Sequence, residues 1–120
     1  SMSENGLNYE SVGRELAMKI LKQYQPSSAA VFYNTARALG AMKVFQRLGK
    51  NIPQDIAVAG FDNIFPARLV EPELTVTDAR YIEAAHRAVD LVLSPHERKE
   101  TLSIAPLLCC GRSVGHLDKK

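Results

Sequence analysis

The chain has 120 residues, 46% of them hydrophobic and 23% charged, with a formal net charge of +2. This composition belongs to a soluble globular protein of at most one domain, long enough to bury a moderate core. No apolar run approaches the ~20 residues of a membrane span, and no basic stripe argues for nucleic acid by charge alone.

Ser1-Met2 reads as a cloning remnant, followed by a short polar lead-in with no secretory leader. The stretch "NYESVGRELAMKILKQY" then carries Val12, Leu16, Ile20 and Leu21 on one helical face. Asn8 is placed to cap this helix, and Pro26 stops it. "AAVFY", residues 29–33, is a short continuous apolar run of the kind buried on both faces of a parallel sheet. Helical spacing returns over 35–48 through Ala38, Leu39, Met42, Phe45 and Leu48, with Gly49 as its C-terminal stop. Gly40 inside that helix costs about 1 kcal/mol relative to alanine, which points to a close backbone approach.

"IAVAG", 56–60, is a second buried strand, and "EPELTV" leads into a shorter third. "RYIEAAHRAVDLVL" is a further helix with Ile82, Ala85, Val89 and Val92 on one side and His86 beside that stripe, read as a surface or boundary residue. "SPHERKE" is a solvated loop, "LSIAPLLCC" a last extended segment, and the tail after it is expected to fray. Adjacent Cys109 and Cys110 are read as free thiols, since a bridge between neighbours is strained.

Helices alternating with apolar strands predict an α/β fold with a mostly parallel sheet flanked by helices. Ligands of such sheets bind beyond the carboxyl ends of the strands. Two strand ends carry polar residues there, Asn34 after "VFY" and Asp62 after "VAGF". Asp62 is either a ligand-facing carboxylate or a turn residue bonding backbone N–H groups, and the pattern alone leaves both open. No nucleophile elbow, phosphate-cradling loop or metal-ligand spacing is present, so no enzyme, cofactor or metal is expected.

The segment from Asn34 to Val76 closely resembles the effector-binding core of the lactose-repressor (LacI) family of bacterial transcription regulators. The matching residues are Asn34, Ala38-Leu39-Gly40-Ala41, Gly49, Ile52-Pro53, Asp55-Ile56, Val58, Gly60-Phe61-Asp62-Asn63 and Pro72-Glu73-Leu74-Thr75. A weaker resemblance runs from Tyr9 to Val114 and includes the closing "GRSV".

The resemblance implies a two-subdomain, periplasmic-binding-protein-like (type I) sensor, of which this chain is the truncated C-terminal portion. Residues 1–7 are then a leader, 8–78 part of the C-terminal effector-binding subdomain, and 79–100 a crossover helix and loop of the N-terminal subdomain. Residues 101–114 form the return segment and 115–120 the tail. The helix of the crossover is expected to lack its sheet, and a sheet edge to be exposed.

Carried over residue by residue, Asn34 and Asp62 hydrogen-bond a small sugar or purine effector. An aromatic near the helix start often stacks on the effector in this family, a role open to Tyr9 or its neighbours, with core packing an equal account of Tyr9. Thr35 stands where the family usually has Asp, and Arg37 where an apolar residue is usual. Arg37, Met42, Phe65 and Leu69 fall at or near the family's twofold contact, implying a homodimer; for Met42 and Phe65, core packing is an equal account. The implied function is allosteric control of operator binding in the cytoplasm, through a DNA-binding headpiece absent from this chain. A periplasmic sugar-binding transport receptor is the alternative.

Overall fold

The computed structural model describes residues 4–23, 27–62, 65–94 and 101–115, with side chains described from Ser11 onward. In chain order the elements are α1 (Glu4–Leu21), β1 (Ala29–Phe32), α2 (Thr35–Arg47), β2 (Ala57–Phe61), a 3-10 turn (Phe65–Arg68), β3 (Thr75–Asp78), α3 (Tyr81–Leu93) and β4 (Leu107–Cys109). The sheet order is β1-β2-β3-β4; the first three strands are parallel, and β4 runs antiparallel to β3.

Helix α1 begins at Glu4, so Asn8 lies inside the helix rather than capping it. Nothing between Glu4 and Asn8 bars the backbone, and a glutamate at the first position suits the positive end of the helix dipole. Val12, Leu16, Ile20 and Leu21 are half-buried, while Ala17 is fully buried between them. The close helix approach falls at Gly13, where an added Cβ would lie 2.2 Å from the Arg37 carbonyl oxygen of α2. Gly40 is buried in α2.

At its C-terminus α2 closes with a Schellman motif. The Lys50 N–H reaches Phe45 O at 2.9 Å and the Gly49 N–H reaches Gln46 O at 3.0 Å, with Gly49 at φ 73. Thus Gly49 stops the helix as its sequence position foretells.

Strand β1 is covered on one face only, which corrects the expectation that it is buried on both. Register places Phe32, Val58, Gly60 and Val76 on the face toward α2, and all four are buried. Gly60 lets α2 come close: a Cβ built there would meet Ala38 Cβ at 3.5 Å. On the other face Val31 is 68% exposed, and Tyr33 and Phe61 are exposed as well. In addition β1 stands at the edge of the sheet, with no further strand beside it among the described residues.

Ser113 stitches the return segment to the sheet. Its buried hydroxyl donates to Val58 O at 2.6 Å and accepts from the Thr75 N–H at 2.8 Å. The extended reading of 102–110 narrows to β4, which pairs Cys109 with Val76 and leaves Cys110 exposed; both thiols are free.

Candidate functional site

The polar ends of β1 and β2 meet at the carboxyl edge of the sheet. After β1 the chain leaves through Tyr33 to Asn34, whose backbone is extended and whose Oδ1 accepts the Arg37 N–H at 3.0 Å. Asn34 is therefore the N-cap of α2. Its carbonyl oxygen carries that cap, and its side-chain NH₂ has no partner among the described residues.

Next in line, Thr35 is 1% exposed, and its Oγ1 lies 3.1 Å from Phe61 O while bonding the Asp62 carbonyl. One hydroxyl thus clamps the start of α2 to the end of β2. This is the role the threonine performs where the LacI-like pattern has an acid. Sequence reasoning missed it, because the partner carbonyls lie 26 and 27 residues away.

Asp62 takes the left-handed conformation, φ 71, which aspartate tolerates better than most residues. That geometry turns the chain immediately after β2. Its carboxylate does not cap the turn among the described residues; Oδ1 accepts the Tyr81 hydroxyl at 2.9 Å across the crevice. Asp62 is thus both a turn residue by backbone and a crevice-facing acid by side chain. The hydrogen bond to Asp62, followed by the repulsion of its negative charge, holds the Tyr81 phenol above the usual tyrosine pKa.

The crevice has a volume of about 450 Å³ and is lined by Tyr33, Phe61, Asp62, Thr77, Ala79, Tyr81 and Pro106. Strand ends β1, β2 and β3, the start of α3 and the approach to β4 all contribute to it. Rings and one carboxylate dominate this lining. Such a surface suits a small ring that presents hydrogen-bond donors toward Asp62.

The other sequence-predicted residues distribute differently. Asn34 sits beside the crevice, next to Tyr33, and is not part of its lining. Tyr9 lies in α1, and its side chain falls outside the described residues. Arg37 places its guanidinium 5.5 Å from the centre of the Tyr33 ring, backing the crevice wall.

Met42 is 2% exposed and belongs to the core, because α2 turns that position onto the sheet. By contrast Phe65 and Leu69 are 73% and 67% exposed. A second groove of about 300 Å³ runs between α2 and Val70-Glu71, lined also by Ala36, Leu39 and Lys43. His86 is exposed on α3; His96 and His116 lie outside the described residues. Among the described residues no cluster of His, Cys, Asp or Glu can hold a metal, and no helix is long and apolar enough to cross a membrane.

Comparison with known proteins gives these features a context. A family described as the periplasmic binding protein-like domain matches residues 3–114. The HTH-type transcriptional repressor PurR of Erwinia tasmaniensis is 33% identical over 106 residues, covering 85% of this chain and 31% of PurR. The HTH-type transcriptional regulator GalR of Escherichia coli is 32% identical over 85 residues, 71% of this chain and 25% of GalR. Among solved structures, a LacI transcriptional regulator from a Rhodococcus species superposes with a TM-score of 0.79 at 29% identity, covering 88% of this chain and 40% of that one. The chain therefore spans between a quarter and a third of the length of these curated relatives.

Proposed function

The chain belongs to the periplasmic binding protein-like domain family, in the branch of the LacI-type regulators, and on that premise we propose that it senses a small effector for a DNA-binding transcriptional regulator. The observation that carries this reading is Asp62, an acid held at a strand tip with its carboxylate in a ring-lined crevice. Asn34 adds an amide at the neighbouring strand tip, its oxygen committed to the α2 cap and its NH₂ available as a donor.

The effector is a small sugar-like or purine-like molecule. Its hydroxyl or N–H groups donate to Asp62 in a charge-assisted bond of roughly 1.5–3 kcal/mol. Residues 8–78 form part of the effector-binding subdomain, residues 79–100 belong to the other subdomain of the regulator, and 101–114 return. Effector binding changes the relative pose of the subdomains, and through it the spacing of paired DNA-binding headpieces. Operator half-sites lie about 34 Å apart, so a coupling of only ~1–3 kcal/mol switches occupancy. Exposed Phe65 and Leu69 contribute to a homodimer contact.

Nothing in the crevice favours a periplasmic transport receptor over this reading. Thermal-shift screening of wild type and Asp62→Ala against sugars, sugar phosphates and nucleobases tests it. A ligand at about 100 times its dissociation constant stabilises by ~2.7 kcal/mol. Loss of that shift in Asp62→Ala is the expected result; equal shifts in both proteins would remove Asp62 from the site.

A further inference from the structure

Tyr81 opens α3, a helix with no buried residue, and is itself 66% exposed. Its hydroxyl nevertheless reaches Asp62 Oδ1 at 2.9 Å. Among the described residues this is the side-chain hydrogen bond that joins α3 to the sheet. The connection behind it is short: Asp78 Oδ1 accepts the Arg80 N–H at 2.7 Å, and Arg80 turns through φ 55 into the helix. Asp78 ends β3, so Tyr81 stands three residues beyond a rigid strand, with its ring on the crevice wall.

We infer that Tyr81 positions the Asp62 carboxylate for ligand and transmits the occupancy of that carboxylate to α3. The inference rests on the ligand site proposed above. The hydroxyl engages Oδ1 and leaves Oδ2 without a partner among the described residues. A ligand offering one donor takes Oδ2 and leaves Tyr81 in place. A ligand offering two adjacent donors, such as the cis-diol of a sugar, takes both oxygens, as carboxylates accept bidentate donors readily. It then competes with Tyr81 for Oδ1, weakening the tether and loosening the first turn of α3. The crevice thus sorts ligands by donor pattern into those that keep the helix tethered and those that loosen it. The raised Tyr81 phenol agrees with a close pairing to the Asp62 charge.

Amide hydrogen exchange at Ala84 reads the tether, because its N–H donates to Arg80 O at 2.9 Å in that first turn. In the 120-residue chain, Tyr81→Phe and Asp62→Gly, the latter removing the acceptor at a φ of 71 that glycine adopts freely, are each expected to speed exchange at Ala84 about threefold, the effect of losing one partly exposed hydrogen bond. The Val58 amide, bonded to Ser113 O, serves as an unchanged reference. Wild-type exchange at Ala84 in both variants would overturn the inference without any ligand being needed.

The ligand arm uses methyl β-D-ribofuranoside, ribose locked as a furanose with a cis-diol at C2 and C3, and its 2-deoxy counterpart, whose locked ring has no two adjacent hydroxyls. The riboside is expected to speed Ala84 exchange in wild type, the 2-deoxyriboside to leave it unchanged, and neither to change it in Tyr81→Phe. Riboside binding that is lost in Asp62→Ala yet leaves wild-type Ala84 exchange unchanged would sink the link to α3 while keeping the site. The riboside stabilising wild type and Asp62→Ala equally would sink the site itself. Should neither sugar bind, the two ligand-free variants decide.

Discussion

Helices α2 and α3 have the same length, 13 residues, and both carry apolar residues at helical spacing, yet they meet opposite fates. Helix α2 buries Thr35, Ala38, Gly40, Ala41, Met42, Val44 and Phe45, whereas α3 buries none. The difference lies in what each connects. Helix α2 joins two adjacent parallel strands, and such a crossover must lie back across the sheet. Helix α3 leads from β3 to an antiparallel neighbour, a connection that imposes no such path. Their ends differ too: Asn34 caps α2, while Arg80, at the N-cap of α3, makes no side-chain capping bond. An apolar stripe states that a face seeks cover; the chain path decides whether it finds any.

Truncation tests this contrast most strongly. Phe45→Ala, at a fully buried α2 position, is expected to cost ~3–5 kcal/mol in urea denaturation. Val92→Ala on α3, where the residue is 83% exposed, is expected to change stability by less than about 0.5 kcal/mol. Comparable losses at the two positions would mean that α3 is packed in solution after all.

Two substitutions probe what holds the covered side together. Gly13→Ala forces a methyl against the Arg37 carbonyl and is expected to cost roughly 1–3 kcal/mol by prising α1 from α2. Ser113→Ala leaves the buried Thr75 N–H without its acceptor, at an expected ~1–3 kcal/mol. Chemical denaturation of both variants checks these figures, and a Gly13→Ala chain as stable as wild type would show that the helices can separate freely.

The caps sharpen the comparison further. Asn34→Ala is expected to cost about 1 kcal/mol through loss of the α2 cap, and Asn34→Ser to restore most of it. If Asn34→Ser recovers stability but not effector binding, the side-chain NH₂ is the ligand contact and the oxygen serves only the helix.

The smallest effect concerns the other helix. Tyr81 has a raised folded-state pKa, so its bond to Asp62 contributes fully below the ordinary phenol pKa. That contribution disappears as pH rises through the higher folded value. A slight loss of α3 order above about pH 10, absent in Tyr81→Phe, is the expected signature in circular dichroism.

Two positions of the candidate site were legible through local pattern. Asn34 and Asp62 were marked by polar residues closing apolar runs, and both do stand at strand tips. Helix boundaries set by Gly49 were equally visible. Other features were not. The one-sided cover of β1 escaped notice because a continuous run such as "AAVFY" looks the same whether one face or both are packed. Met42 fits an interface stripe and a core stripe equally well by spacing, and only the docking of α2 on the sheet separates them.

The sequence by itself determined the alternation of helix and strand and the placing of Asn34 and Asp62 at strand ends, which depend on neighbours within a few residues, and the family, which depends on the order of matching residues from Asn34 to Val76 and needs no contacts. Tertiary structure alone decided that Thr35 clamps the Asp62 carbonyl and that Tyr81 holds the Asp62 carboxylate. The Thr35 and Tyr81 partners come from 27 and 19 residues away. Strand register and the turn at Arg80 bring them together, and no local period encodes either.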